Sequence, residues 1–218
     1  MIFYRVAKFI CAPFVRLIFR VKITGKENFP KEGGYLVCPN HTSLADVVVL
    51  AASFKRLLMF MAKKELFKSK IFGWLIRKLG AFPVDRGGAD VGAIKNAISL
   101  IEQGQLVNIF PQGTRRSGVD PSTTRIKSGV GMIACHTKCG VIPVFIKAKD
   151  NHLKAFRRNE LIIGKPIEYE EFGFSGDGKE DYDRAARMIF SRVCELGGYE
   201  YPAPKNAEGE HLQENKNS

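Results

Sequence analysis

Tyr35-Leu36-Val37-Cys38-Pro39-Asn40-His41-Thr42-Ser43-Leu44-Ala45-Asp46 decides how the chain is organised. Residues 35–38 form a short apolar run, the pattern of a strand buried on both faces. Pro39 and Asn40 interrupt it, and residues 44–54 are then apolar nearly all round, which predicts a buried helix. A buried strand that feeds a buried helix through a short loop is the repeating unit of an α/β sheet.

The alternation continues downstream. Short apolar runs predict strands at residues 57–61, 81–84, 106–110, 141–148 and 161–167. Helical spacing predicts helices over residues 65–79, from Val91 through Ile101, over 127–138, and from Tyr182 to Leu196. Residues 24–34 read as a turn-rich link, and residues 203–218 as a polar tail. The expectation is an α/β fold, a mostly parallel central sheet covered by helices, occupying residues 23–202. In such sheets the active groups sit on loops beyond the carboxyl ends of the strands.

Across 218 residues, Lys plus Arg is 34 and Asp plus Glu is 22, a net charge of +12. That surplus points to an anionic partner: nucleic acid, an anionic membrane or a phosphorylated substrate. Five scattered cysteines do not make a small disulfide scaffold, and a reduced, intracellular setting is the simpler reading. Cys135, His136 and Cys139 supply at most half of a tetrahedral zinc site, so no metal is expected.

Residues 1–22 hold Arg5, Lys8, Arg16, Arg20 and Lys22, with no acid. The first four fall on one face of a helical wheel, and apolar or aromatic residues fill most of the remainder. The bases interrupt any transmembrane or signal-peptide reading. The pattern predicts an amphipathic helix in the membrane interface, bases towards anionic headgroups, with Pro13 kinking it or dividing it into a helix pair. A helix packed on the domain is the alternative.

Three loops carry chemistry. In the first, His41 follows the strand and Asp46 falls in the first turn of the helix. A carboxylate on one ring nitrogen fixes the tautomer, so that the other nitrogen can take a proton. Ser43-Leu44-Ala45-Asp46 equally fits a capping pattern, in which Asp46 only starts the helix. The second loop, Phe82-Pro83-Val84-Asp85-Arg86-Gly87-Gly88, sets a guanidinium beside glycines, which suits an anion. The third, Phe110-Pro111-Gln112-Gly113-Thr114-Arg115-Arg116, repeats that composition after another strand. Neither a P-loop nor a dinucleotide fingerprint is present.

Four blocks, Asn40 to Asp46, Phe82 to Arg86, Phe110 to Arg115 and Val141-Ile142-Pro143-Val144, occur in an order and spacing that resembles the glycerolipid acyltransferases of the lysophosphatidate (1-acylglycerol-3-phosphate) type. The resemblance spans residues 40–144, about half the chain. It implies that His41 is a general base and Asp46 its partner. It assigns Arg86 to the acceptor phosphate and Gly113, Thr114 and Arg115 to the acceptor site, with Gln112 in the same block. Pro143 is linked to the acyl side. One departure stands out: Gln112 occupies a position that is usually glutamate, which removes a charge.

The resemblance further implies acyl transfer from acyl-CoA or acyl carrier protein to a lysophospholipid hydroxyl, at the cytoplasmic face of the membrane. It implies no cofactor beyond that acyl donor, and no metal. Another lysophospholipid or glycerol 3-phosphate is the alternative acceptor. A hydrolase using Ser43 or Cys38 lacks a GxSxG elbow. A nucleic-acid partner is disfavoured, because the bases cluster at glycine loops and the amino terminus without an RNA-binding aromatic signature.

Overall fold

The structure is a computed structural model and describes residues 2–85 and 90–202. Its strands are β1 (Val21–Thr24), β2 (Tyr35–Pro39), β3 (Leu58–Lys63), β4 (Ala81–Val84), β5 (Leu106–Asn108), β6 (Val141–Ala148) and β7 (Asn159–Ile163). Its α-helices are α1 (Ile2–Ile18), α2 (Ala45–Ser53), α3 (Lys70–Lys78), α4 (Val91–Glu102), α5 (Gly129–Thr137) and α6 (Lys179–Leu196). The strands form one sheet in the order β1-β7-β6-β2-β5-β3-β4. Pairing is parallel except between β6 and β7, so the expected α/β architecture is present.

Helices cover both faces, which is why the central strands are apolar without alternation. Leu36 and Cys38 of β2 face a core shared with Ala97, Ile101, Ile133, Ala134, Ala185 and Ile189 from α4, α5 and α6. Val37 points the other way, into a core shared with Val49 and Leu50 of α2. Val15 and Phe19 lie against that second core, so α1 sits outside α2 on the same face. Each fully buried Leu or Val stabilises the fold by roughly 1.5–3 kcal/mol. Helices α5 and α6 approach so closely that a Cβ on Gly131 would lie 2.1 Å from the Tyr182 carbonyl oxygen.

Several expectations change. The chain does not remain helical to residue 22: α1 ends at Ile18, Arg20 turns with φ 45°, and Val21–Thr24 pairs with β7. Four residues are too few to show a strand period before a turn-rich link, so β1 was invisible to pattern. Pro13 lies inside α1 without dividing it, on the exposed side. The helix expected over 65–79 is two pieces, a 3₁₀ turn at Lys64–Phe67 and α3. Ser69 caps α3 by accepting from the Phe72 N–H at 3.3 Å. Helix α2 is not buried all round as expected, since Leu44 before it and Val48 within it are exposed.

The largest change is the polarity of α1. Lys8 and Arg16 do not face outward. Lys8 Nζ donates to the Arg56 carbonyl at 2.8 Å, and Arg16 donates to the Ala52 carbonyl through Nε and Nη2 at 2.9 and 2.5 Å. These are carbonyls at and just beyond the C-terminal end of α2, where a helix leaves acceptors unpaired and favours positive charge. The outer surface is apolar instead: Ile2, Val6, Phe9, Ile10, Phe14 and Leu17 are exposed, Phe9 at 84%. Trp74 of α3 meets Phe3 with ring centroids 5.8 Å apart, and exposed Ile71 and Phe72 extend the patch. Among the described residues, no helix is long and apolar enough to cross a membrane.

Candidate active site

Strand β2 delivers His41 to the carboxyl edge of the sheet, and its neighbours fix it there. The Asn40 side chain bonds both sides of Ile146 on β6: its Nδ2 donates to the carbonyl at 3.2 Å, and its Oδ1 accepts the N–H at 2.7 Å. This prolongs the β2–β6 ladder with a side chain in place of backbone. The His41 N–H donates to Gln112 Oε1 at 2.8 Å, and the His41 carbonyl accepts the Arg116 N–H at 2.8 Å. The imidazole stacks on Phe110 at 3.7 Å between centroids, with 16° between planes. Backbone position and ring plane are thus both set by the loop after β5.

Asp46 sets the tautomer. His41 Nδ1 lies 2.8 Å from Asp46 Oδ2. Asp46 is wholly buried and also accepts the Thr42 N–H at 2.6 Å, the Ser43 N–H at 2.8 Å and the Thr42 hydroxyl at 3.1 Å. Buried charge is tolerated only when its lone pairs are used, and here they are. The capping pattern and the pair with histidine therefore coexist. Asp46 reaches back to the Ser43 N–H as a capping residue does, while the same carboxylate holds the ring. With Nδ1 donating to a carboxylate, Nε2 is the nitrogen left with a lone pair.

Gln112 is 3% exposed and faces inward. Its Oε1 takes the His41 N–H, and its Nε2 donates to Thr124 Oγ1 at 2.7 Å. Thr124 in turn donates to the Pro121 carbonyl at 2.7 Å. The amide fits this chain of bonds as a glutamate would not, because Nε2 must donate. The structure therefore places Gln112 behind His41, with both polar ends used inside the protein.

The other expected site residues are distributed. Gly113 adopts φ 66°, and a Cβ there would sit 3.1 Å from the Lys127 side chain. The left-handed turn brings Thr114 and Arg115 to the surface, and Arg115 has no hydrogen bond or ion pair to a described residue. Pro143 is buried in β6, paired in register with Cys38, three positions before His41. Arg86 lies outside the described residues; its neighbour Asp85 pairs with Lys64. Cys38 is fully buried, and burial pushes its thiol pKa well up, which suits a core side chain and not a nucleophile.

Phe110, Thr42 and Thr124 were not singled out from the sequence. The signal for Phe110 was present in its place two residues before Gln112, but stacking is a tertiary fact. Thr124 lies twelve positions from Gln112, and nothing local marks it as an anchor.

The chain is similar to known proteins over most of its length. Residues 20–147 match the Acyltransferase family. The chain belongs to that family. The 1-acyl-sn-glycerol-3-phosphate acyltransferase of Bacillus subtilis is 34% identical over 85% of this chain and 94% of its own length. The enzyme of the same name from Streptococcus pneumoniae is 38% identical, over 75% of this chain and 61% of its own. In fold, the chain is similar to the crystal structure of the 1-acyl-sn-glycerophosphate (LPA) acyltransferase PlsC from Thermotoga maritima. That likeness has a TM-score of 0.63 and 26% identity, over 91% of this chain and 84% of the other. This acyltransferase-family chain shares with that structure the mostly parallel α/β sheet.

Proposed function

We propose that this protein transfers a fatty acyl group from a thioester, acyl-CoA or acyl carrier protein, to the sn-2 hydroxyl of 1-acylglycerol-3-phosphate, forming phosphatidic acid. The observation that carries the reading is the buried His41–Asp46 pair at 2.8 Å, at the carboxyl edge of a sheet similar to that of the Thermotoga maritima LPA acyltransferase. His41 Nε2 takes the hydroxyl proton as the oxygen attacks the thioester carbonyl carbon. The tetrahedral adduct collapses, the carbon–sulfur bond breaks, and the imidazolium returns the proton to the leaving thiolate. Asp46 stabilises the imidazolium and keeps Nε2 directed outward. No acyl-enzyme forms and no metal takes part.

Arg115 and Arg86 hold the acceptor phosphate, which fixes the hydroxyl before His41. The exposed apolar face of α1 and α3 seats the protein on the cytoplasmic face of an anionic membrane, where the lysophospholipid resides. The inward-facing Lys8 and Arg16 reverse the expected orientation of that helix but strengthen the case for an apolar outer partner. A hydrolase reading is weakened, since Cys38 is buried and the Ser43 hydroxyl makes no hydrogen bond with the His41 ring, whose Nδ1 faces Asp46.

The test is an assay of purified protein with both donor classes and a panel of lysophospholipid acceptors, read by mass spectrometry. Phosphatidic acid should form, and His41→Ala should abolish it. Release of free fatty acid to water, with no acylated acceptor, would overturn the proposal.

A further inference from the structure

The sheet edge that bears His41 continues into a second feature. Beyond its pairing of Val144 with Pro39, β6 runs on to Ala148 beside the start of β7, which in turn borders β1. Residues of one parity on these strands, Val144, Ile146, Leu161, Ile163, Val21 and Ile23, join the core on the α1 and α2 face. The alternate residues point to the opposite face, where Phe145 and Ile162 pack near α6. On that face, past the cover of α6, Lys147, Glu160 and Lys22 lie side by side in register across three strands.

Arg20, Lys149 and Arg158 complete a groove of about 720 Å³ whose charged lining is five bases and one acid, with Val21, Ala148 and Asn159 between them. That acid is already engaged. Glu160 accepts the Thr24 hydroxyl at 2.6 Å and lies 3.3 Å from Lys22 Nζ. Arg20, Lys147, Lys149 and Arg158 have no ion pair with a described residue. The groove therefore presents uncompensated positive charge over an extended width.

Its position selects the partner. By the alternation along the strands, Lys22, Glu160 and Lys147 stand on the face of the sheet opposite the core that α1 and α2 cover, so a bilayer that receives the apolar surface of α1 leaves these side chains free for a soluble partner. The groove is also tied to the His41 loop: Ile146, next to Lys147, is the residue that Asn40 holds. The segment after β6 returns to that loop through Leu153, whose N–H donates to Thr42 Oγ1 at 3.3 Å.

We propose that this groove docks the acidic surface of an acyl carrier protein and so presents the carrier's acyl thioester to His41. The proposal deepens the function above and rests on it. Charge complementarity of this kind raises the rate of encounter and fixes orientation, and it weakens with salt.

The decisive comparison uses Lys147→Glu/Lys149→Glu/Arg158→Glu, all three exposed positions, with the full-length protein on anionic vesicles. Transfer is measured from a long-chain acyl carrier protein and from the matching acyl-CoA. The variant should lose about 30-fold or more in kcat/KM with the carrier, through KM, and less than about threefold with acyl-CoA. The carrier rate of the unsubstituted protein should fall with added salt while that of the variant stays flat. Equal losses with both donors, or unchanged carrier kinetics, would overturn the proposal. So would loss of vesicle binding with carrier affinity intact, which would assign the groove to lipid headgroups. Carrier affinity is measured separately by fluorescence anisotropy. If the unsubstituted protein transfers from neither donor, the proposed function falls, and anisotropy still decides whether the groove binds the carrier.

Discussion

The His41 loop and helix α1 invert one another. In the loop, polar side chains are buried and their groups are satisfied by the protein: Asp46 by two backbone N–H groups, a hydroxyl and the imidazole, Gln112 by His41 and Thr124. In α1, the charged side chains of Lys8 and Arg16 turn inward to carbonyls at the end of α2, while Phe9, Phe14 and Leu17 stand in the open. The loop spends its polarity on fixing one imidazole. The helix leaves its apolar area unused by the rest of the chain, and an apolar patch of that kind marks a surface awaiting an apolar partner. The difference separates a place of chemistry from a place of attachment.

The sharpest way to break the comparison is to remove charge from the loop without changing its shape. Asp46→Asn keeps an oxygen for the Thr42 and Ser43 N–H groups but no longer stabilises an imidazolium. Transfer should fall by about 10²–10⁴-fold in kcat, with KM little changed. Steady-state kinetics on vesicle-borne substrate would measure it, and retention of activity within tenfold would remove Asp46 from the mechanism. Ser43→Ala, by contrast, should leave most activity in place.

The complementary change on the helix should leave chemistry intact. Phe9→Ser/Phe14→Ser/Leu17→Ser alters three exposed side chains. Each buries part of a side chain worth about 1.5–3 kcal/mol when fully withdrawn from water, so vesicle partitioning should fall by about 10²–10³-fold. Turnover on a detergent-dispersed acceptor should change little. Undiminished vesicle sedimentation would show that α1 is not the attachment surface.

These two regions were not equally legible in the sequence. The strand-loop-helix at residues 35–54 was readable because a two-sided apolar strand and an apolar helix leave strong local patterns. His41 and Asp46 lie five residues apart, so one loop brings them together whatever the rest of the chain does. The amphipathic character of α1 was equally plain, but its orientation was not. A helical wheel shows two faces and says nothing about which one finds the carbonyls of Ala52 and Arg56. Gln112 was seen as a missing charge in an acceptor site. Its role behind His41 depends on Thr124 and on the approach of two loops, neither of which has a local signature.

Gln112 gives a graded test on the loop side. Gln112→Leu strands the buried His41 N–H, at a cost of about 1–3 kcal/mol in stability. A shifted imidazole should also lower kcat by about tenfold, since small displacements at the reacting atoms are expensive. Gln112→Glu restores the acceptor for His41 but cannot donate to Thr124, so it should recover most of the activity and only part of the stability. Equal behaviour of the two variants in thermal melts and kinetics would mean that the His41 N–H contact is unimportant.

The smallest expected effect tests the inward orientation of Lys8. Burial, with Arg16 beside it, pulls the Lys8 pKa down from 10.5 to about 8. In the unfolded chain the same amine holds its proton to higher pH. Stability rises with pH wherever the unfolded state binds more protons, so the folded protein should gain between about pH 8 and 10.5 as Lys8 is neutralised. Lys8→Met lacks this group and lacks the gain. The stability difference between the two should therefore move in favour of the unsubstituted protein across that window, by less than about 1 kcal/mol because the side chain is partly solvated. Denaturant melts at matched pH would resolve it. A lysine that faced headgroups and solvent would titrate near its ordinary value, and the difference would then stay flat through pH 9, sinking the inward assignment of Lys8.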